Sequence, residues 1–156
     1  MHITHRDAFT VVGLAARTAN AREMTPEGVI PKLWGRVMRE GLLATIPNRV
    51  GSEIIALYTE YESDKDGPYT FVIGARVTAL GALPGGMTAK DVQAGDYAVL
   101  RTGANPAKDA VVTFWQQIWS LENSHQLRRA YRTDYEVHHF ADKGEAAVEI
   151  YVGVKK

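Results

Sequence analysis

The chain has 156 residues, with 18 Lys plus Arg against 18 Asp plus Glu, 46% hydrophobic residues and no cysteine. That length and composition suit one folded domain rather than two full-sized ones or a disordered chain, and zero net charge argues against direct nucleic-acid binding, which usually needs a basic excess or stripe. The absence of cysteine excludes disulfides, thiolate metal sites, redox dithiols and cysteine nucleophiles, and fits a reducing compartment.

The N-terminal run Met1 to Asp7 has no continuous apolar segment of the signal-peptide type. No later stretch is long and apolar enough to span a bilayer, so a cytoplasmic setting with no membrane partner is expected. Phe9 to Arg17 reads as a strand. Thr25-Pro26-Glu27-Gly28 resembles a helix start, with Thr25 as N-cap and Pro26 in the first helical position. The helix runs from about Glu27 to Leu43, with Ile30, Leu33, Trp34, Val37, Met38 and Leu42 on one face. Strands follow at Glu53 to Glu62 and Tyr69 to Leu80, joined by the turn Asp64-Lys65-Asp66-Gly67-Pro68. Leu83-Pro84-Gly85-Gly86-Met87 breaks the chain near its middle. A strand at Asp96 to Thr102 leads to the start signal Asn105-Pro106 and a helix from about Pro106 to Glu122. Its stripe is Ala107, Ala110, Val111, Phe114, Trp115, Ile118, Trp119 and Leu121. Arg132 to Phe140 and Ala146 to Lys155 are strands around the turn Asp142-Lys143-Gly144.

Both halves therefore read strand, helix, strand, hairpin turn, strand. Laying Gly144 on Gly67 puts Val154 on Val77, Ile150 on Ile73 and Tyr135 on Tyr58. The spacing predicts an α+β fold: one domain over 1–156, made of a duplicated β-α-β-β unit (repeats of about 1–80 and 88–156). The two units would be related by a pseudo-two-fold axis, in one curved antiparallel sheet with both main helices on one face. A cleft would lie along that axis.

Glu136 is the residue most in need of explanation. Strand alternation puts Asp134, Glu136 and His138 on one face, and the repeat alignment equates that face with the face of Leu57, Thr59 and Tyr61. A carboxylate on such a surface is desolvated unless a cation or donor meets it. The plainer alternatives are a solvent-facing Glu, or one paired with an Arg of the Arg128 to Arg132 run. The aromatics form a second group: Trp34 on the first helix, Trp115 and Trp119 one turn apart on the second, and Tyr58, Tyr61, Tyr69, Tyr97, Tyr131 and Tyr135 on strands or their edges. Each alone is ordinary core packing. Together with a carboxylate they make a receptor for a flat apolar cation, because ring faces attract positive charge. Metal chemistry is not expected. His138 and His139 point to opposite faces, Glu136 and His138 supply only two ligands, and the HExxH pattern is absent. No GxSxG or phosphate-loop pattern occurs, and Gly81 to Gly86 reads as a loop joining the repeats. Glu60, Glu62, Asp64 and Asp66 read as a solvated hairpin edge.

With these residues in view, the chain resembles the GyrI-like small-molecule-binding (effector-binding) family, above all its stand-alone, integron-cassette-associated members. The matching segments are Ile30-Pro31-Lys32-Leu33-Trp34, Leu57-Tyr58-Thr59-Glu60-Tyr61, Tyr69-Thr70-Phe71-Val72-Ile73-Gly74 and Ala94-Gly95-Asp96-Tyr97-Ala98-Val99, with the Trp115 to Trp119 helix, Asp134-Tyr135-Glu136 and Ile150-Tyr151-Val152-Gly153-Val154. Their order spans nearly the whole chain. The resemblance implies a pocket at the pseudo-dyad, no cofactor, and a role for Glu136 as the family's buried acid that recognises lipophilic cations. Family members often carry Tyr where this chain has His138, and a protonated His there would compete with a bound cation. The leading expectation is non-enzymatic binding of lipophilic cationic small molecules by Glu136, Trp34, Tyr61, Trp115, Trp119 and His138. Two rivals stay open. One is a small-molecule hydrolase of the same fold using Glu136 with His138 or a Tyr as acid and base. The other is a ligand-responsive module that docks on a separate DNA-binding regulator. An exposed edge strand would also let two copies pair as a homodimer.

Overall fold

The computed structural model describes residues 2–103, 110–141 and 144–155. Alternating β-branched and aromatic residues form six strands where the pattern places them: β2 (Phe9–Thr18), β3 (Ile54–Thr59), β4 (Tyr69–Val77), β6 (Gly95–Arg101), β7 (Arg129–Ala141) and β8 (Gly144–Val154). Two more strands, β1 (His2–Arg6) and β5 (Thr88–Val92), escape the sequence pattern. Both are short edge strands, and β1 has no buried residue. Edge strands take their order from a neighbour's free backbone groups rather than from hydrophobic alternation.

All eight strands form one antiparallel sheet in the order β1-β6-β8-β7-β3-β4-β2-β5. The duplication is visible in that order, because the second repeat (β6, β8, β7) mirrors the first (β3, β4, β2) about the β7–β3 junction. The edge strands are exchanged between repeats. β1 precedes the first repeat but pairs with β6, whereas β5 precedes the second repeat but pairs with β2.

Among the described residues three helices accompany the sheet: α1 (Asn20–Glu23), α2 (Ile30–Glu40) and α3 (Ala110–Asn123), with a 3₁₀ turn at Leu42–Thr45 after α2. Helix α2 starts at Ile30, with Pro31 in its first turn, rather than at Glu27 with Pro26. Thr25 does not cap it, because its hydroxyl donates to the Arg22 carbonyl at 2.6 Å in a preceding turn. The cap is Glu23, whose carboxylate accepts from the Val29 and Ile30 amides at 3.0 Å each. A carboxylate at a helix N-terminus satisfies orphan donors and the local dipole together. The expected start of the second helix at Asn105-Pro106, and residues 142–143 of the last turn, lie outside the described residues. Ala141 and Gly144 nonetheless pair, so β7 and β8 form the expected hairpin.

Both main helices cover one face of the sheet. Ile30, Leu33, Trp34 and Val37 of α2 pack on Val12, Leu14, Ile54, Ala56, Phe71 and Ile73. Val111, Phe114, Trp115, Ile118 and Leu121 of α3 pack on Ala98, Leu100, Val148, Ile150 and Val152. The opposite face has its own apolar cluster, including Val11, Leu57, Val72, Tyr97, Tyr135 and Tyr151, to which no helix residue among the described ones contributes. These side chains are buried because the sheet curls over them. Strands β7 and β2 are three places apart, about 14 Å in a flat sheet, yet the Tyr135 and Phe9 ring centroids are 5.2 Å apart. The paired Gly13 and Gly74 sit at a close approach of β2 and β4, where a Cβ on either would lie 2.1 Å from a carbonyl oxygen of the other strand.

The structure corrects one part of the repeat alignment. Val77 and Val154, and Ile73 and Ile150, do share the helix-bearing face. Tyr135 does not match Tyr58, since Tyr58 faces the helices and Tyr135 the concave side. Likewise Glu136 pairs with Ala56 and shares its face with Ala56 and Tyr58, not with Leu57. The loop between β3 and β4 is longer than the turn between β7 and β8, so one gapless offset cannot fit both strands, and an odd slip in a strand reverses its faces.

Candidate functional site

The register of β3 against β7 builds the centre. Ala56 lies opposite Glu136, and its small side chain leaves room above the sheet for the carboxylate. Tyr58, on the same face and diagonal to Glu136, donates its hydroxyl to Oε2 at 2.8 Å. From α3, the Trp115 indole N–H donates to the same oxygen at 2.7 Å. His138 Nε2 lies 2.8 Å from Oε1. Where the carboxyl is ionised it only accepts, and this ring nitrogen is then the donor. Glu136 is 2% exposed, and three donors compensate for the water it has lost. Burial, reinforced by Glu136, raises the Tyr58 pKa well above 10 and keeps the phenol a donor.

A second buried acid stands two residues earlier on the same face. Asp134 is fully buried. It accepts from the Gly153 amide at 2.8 Å, from Arg129 Nη2 at 2.7 Å and from the Tyr61 hydroxyl at 2.5 Å. Arg129 lies over the rings of Tyr131, Trp115 and Tyr61, with centroid distances of 4.4, 5.6 and 6.0 Å. Burial alone would lower the Arg129 pKa, but Asp134 and the surrounding phenols outweigh it and raise it. Glu122 of α3 faces the same guanidinium at 3.7 Å and accepts from the Tyr131 hydroxyl. The Tyr61 pKa is pushed well above 10, first by burial and then by Asp134.

Above these two acids lies a cavity of about 150 Å³ between the helices and the sheet. Tyr58, Tyr61, Tyr69, Trp115 and Trp119 supply its aromatic walls, and Ile30 and Val112 add aliphatic surface. Asn20, Glu23, Lys65 and Arg129 are its polar members.

Of the residues expected at the site, Tyr61, Trp115 and Trp119 line this cavity. Glu136 lies one layer beneath, reaching the lining through Tyr58 and Trp115. Trp34 and His138 are not in the lining. They pack on each other edge to face at 4.7 Å, and His138 contacts Glu136 at Oε1, away from the oxygen shared by Tyr58 and Trp115. Sequence reasoning missed the Arg129–Asp134 pair. Its signal was present in the alternation that puts Asp134 on the Glu136 face, but the arginine run suggested a partner for Glu136 instead. Asn20, Glu23 and Lys65 carried no usable signal, because α1 and the β3–β4 loop reach the cavity only through the tertiary fold. Among the described residues no group of three His, Asp or Glu could hold a metal ion, and no helix is long and apolar enough to cross a membrane.

A family model for integron-associated effector-binding proteins matches residues 2–154. The chain belongs to that family. It is 36% identical over 158 residues to YobU of Bacillus subtilis (strain 168), covering 99% of this chain and 98% of that protein, whose name places it among transcriptional regulators. The integron cassette protein VCH_CASS2 from the mobile metagenome of Vibrio cholerae is 30% identical, with a TM-score of 0.78 over 99% of this chain and 95% of that one. SAV2435, solved with tetraphenylphosphonium bound, shares the fold at 19% identity and a TM-score of 0.75, over 99% and 93% of the two chains. The effector-binding family thus accounts for the whole matched length, and the GyrI-like fold expected from the sequence is the observed one.

Proposed function

We propose that this effector-binding protein takes lipophilic organic cations into the cavity between α2, α3 and the sheet, and that it binds them without chemical conversion. The observation that carries the reading is Glu136: a carboxylate 2% exposed, set directly beneath an aromatic cavity and joined to it by hydrogen bonds from Tyr58 and Trp115. Those bonds pull electron density towards the two rings, and ring faces attract a cation by about 0.5–2 kcal/mol each. Around the cavity, the carboxylates of Glu23, Glu122, Asp134 and Glu136 outnumber the cations Arg129 and Lys65. A cation entering therefore relieves an excess of negative charge, while an anion adds to it. A delocalised cation is favoured over an ammonium because it is stripped of water more cheaply. Both Glu136 oxygens are already engaged by donors, which suits a fixed counter-charge better than a base that must receive a proton. SAV2435, which shares the fold, was solved with tetraphenylphosphonium bound, and this supports the reading.

The test is a tryptophan-fluorescence titration with three phenyl-bearing probes of different charge: tetraphenylphosphonium, neutral triphenylphosphine oxide and anionic tetraphenylborate. Trp115 and Trp119 line the cavity and report occupancy. The order expected is cation, then neutral, then anion, with each probe recovered unchanged after long incubation. Tight binding confined to the borate, or turnover of a bound probe, would overturn the proposal.

A further inference from the structure

The concave face, opposite the two main helices, carries a second cleft, of about 310 Å³, on the other side of the sheet from Glu136. Strand alternation makes this possible, because Tyr135 and Val137, the neighbours of Glu136 in β7, point to this side. Its wall is aromatic. Tyr135 and Tyr151, register partners across β7 and β8, stack at 4.6 Å with 9° between their planes, and Phe9 meets Tyr135 edge-on at 5.2 Å.

Arg6 lies 5.1 Å over the Tyr151 ring and donates to its hydroxyl at 2.9 Å, while Arg76 lies 4.9 Å over the Phe9 ring. Among the described residues neither guanidinium pairs with a carboxylate, and the Tyr135 hydroxyl has no hydrogen-bond partner. Burial and the neighbouring tyrosines raise the Tyr135 pKa, and Arg6 and Arg76 pull against that rise, so both cations are felt at this oxygen. Of the acids in the lining, Glu149 is already engaged. His139 Nε2 sits 2.7 Å from Glu149 and Nδ1 3.9 Å from Glu53, and the Tyr151 hydroxyl donates to Glu149 at 3.3 Å. Asp7, the remaining acid of the lining, is 97% exposed and turned to solvent. Arg6, Arg76 and the Tyr135 hydroxyl therefore offer donors to the cleft that no carboxylate among the described residues engages.

We propose that this cleft is a binding site for a small aromatic carboxylate. Arg6, Arg76 and the Tyr135 hydroxyl hold the carboxylate, and the ligand ring lies against Phe9, Tyr135 and Tyr151. A guanidinium presents its donors in a planar fork that fits a carboxylate, and one already stacked on a ring loses little freedom in doing so. The volume lies at the lower end for small-molecule pockets. The site owes nothing to the cation cavity, since it uses other residues on the other face.

The deciding experiment is isothermal titration calorimetry of the full chain with 2-naphthoate and its neutral isostere 2-naphthamide, each with and without saturating tetraphenylphosphonium. The expected result is one naphthoate per chain, bound about tenfold or more tighter than the amide and indifferent to the phosphonium. R76Q and Y135F should each weaken naphthoate several-fold without moving the melting temperature by more than a few degrees. Equal affinity for acid and amide, unchanged naphthoate binding in R76Q, or displacement of naphthoate by the phosphonium would each overturn the assignment. If the phosphonium itself fails to bind, the cation reading falls, while the acid-against-amide comparison still decides this one.

Discussion

Replacing Glu136 with Gln removes one charge and almost no volume. The Gln carbonyl can keep the Tyr58 and Trp115 donors now at 2.8 and 2.7 Å, and its amide group faces His138, where an imidazole in its other tautomer accepts. The fold should therefore survive, and the change falls on ligand affinity. A cation resting on the Tyr58 and Trp115 rings has its centre about 7 Å from Oε2, which at an effective dielectric of about 20 corresponds to roughly 2.4 kcal/mol of attraction. That is about a 50-fold loss of affinity. Tryptophan-fluorescence titration of wild type and E136Q with tetraphenylphosphonium measures it, and triphenylphosphine oxide serves as the uncharged control. The neutral probe should bind both proteins alike. If E136Q binds the phosphonium as tightly as wild type while melting at the same temperature, the charge of Glu136 has no part in recognition.

Two further outcomes follow from the buried network and from the phenols. Arg129→Met strands the carboxylate of Asp134, which is fully buried, and should cost about 3–5 kcal/mol in urea unfolding. The double variant R129M/D134N should recover most of that loss, whereas a single-variant cost under about 1 kcal/mol would show that the pair is not the partner Asp134 needs. The second outcome concerns alkaline pH. The Tyr58 and Tyr61 pKa values are raised well above 10, mainly by burial. Unfolded phenols lose their protons near pH 10 while these native ones keep theirs, so the unfolded state binds fewer protons and stability falls as pH rises. The stabilising contribution is complete below about pH 10, and each such phenol adds a slope of about 1.4 kcal/mol per pH unit above it. Urea midpoints at pH 9, 10 and 11 read the decline. Y58F should make it shallower, and an identical slope in Y58F would refute the assignment to Tyr58.

Local rules account for much of the architecture. Period-two alternation in β2, β3, β4, β6, β7 and β8, and the one-sided stripes of α2 and α3, reflect burial of one face or two, which the residues themselves record. The same alternation placed Asp134, Glu136 and His138 on a common face, and that placement holds. The duplication was legible because each unit needs a partner to bury its face. Tertiary structure alone decided the rest. The exchanged edge strands β1 and β5 depend on backbone hydrogen bonds, which leave little trace in side-chain pattern. Loop length, not residue similarity, set which face of β7 corresponds to which face of β3, so Tyr135 left the cavity side and joined the concave one. Which carboxylate Arg129 meets, and which rings stand over Glu136, depended on how far the sheet curls and where α3 crosses it. Alternation is a property of neighbouring residues and is written in the chain; distances between strands arise only when the whole sheet closes on its core.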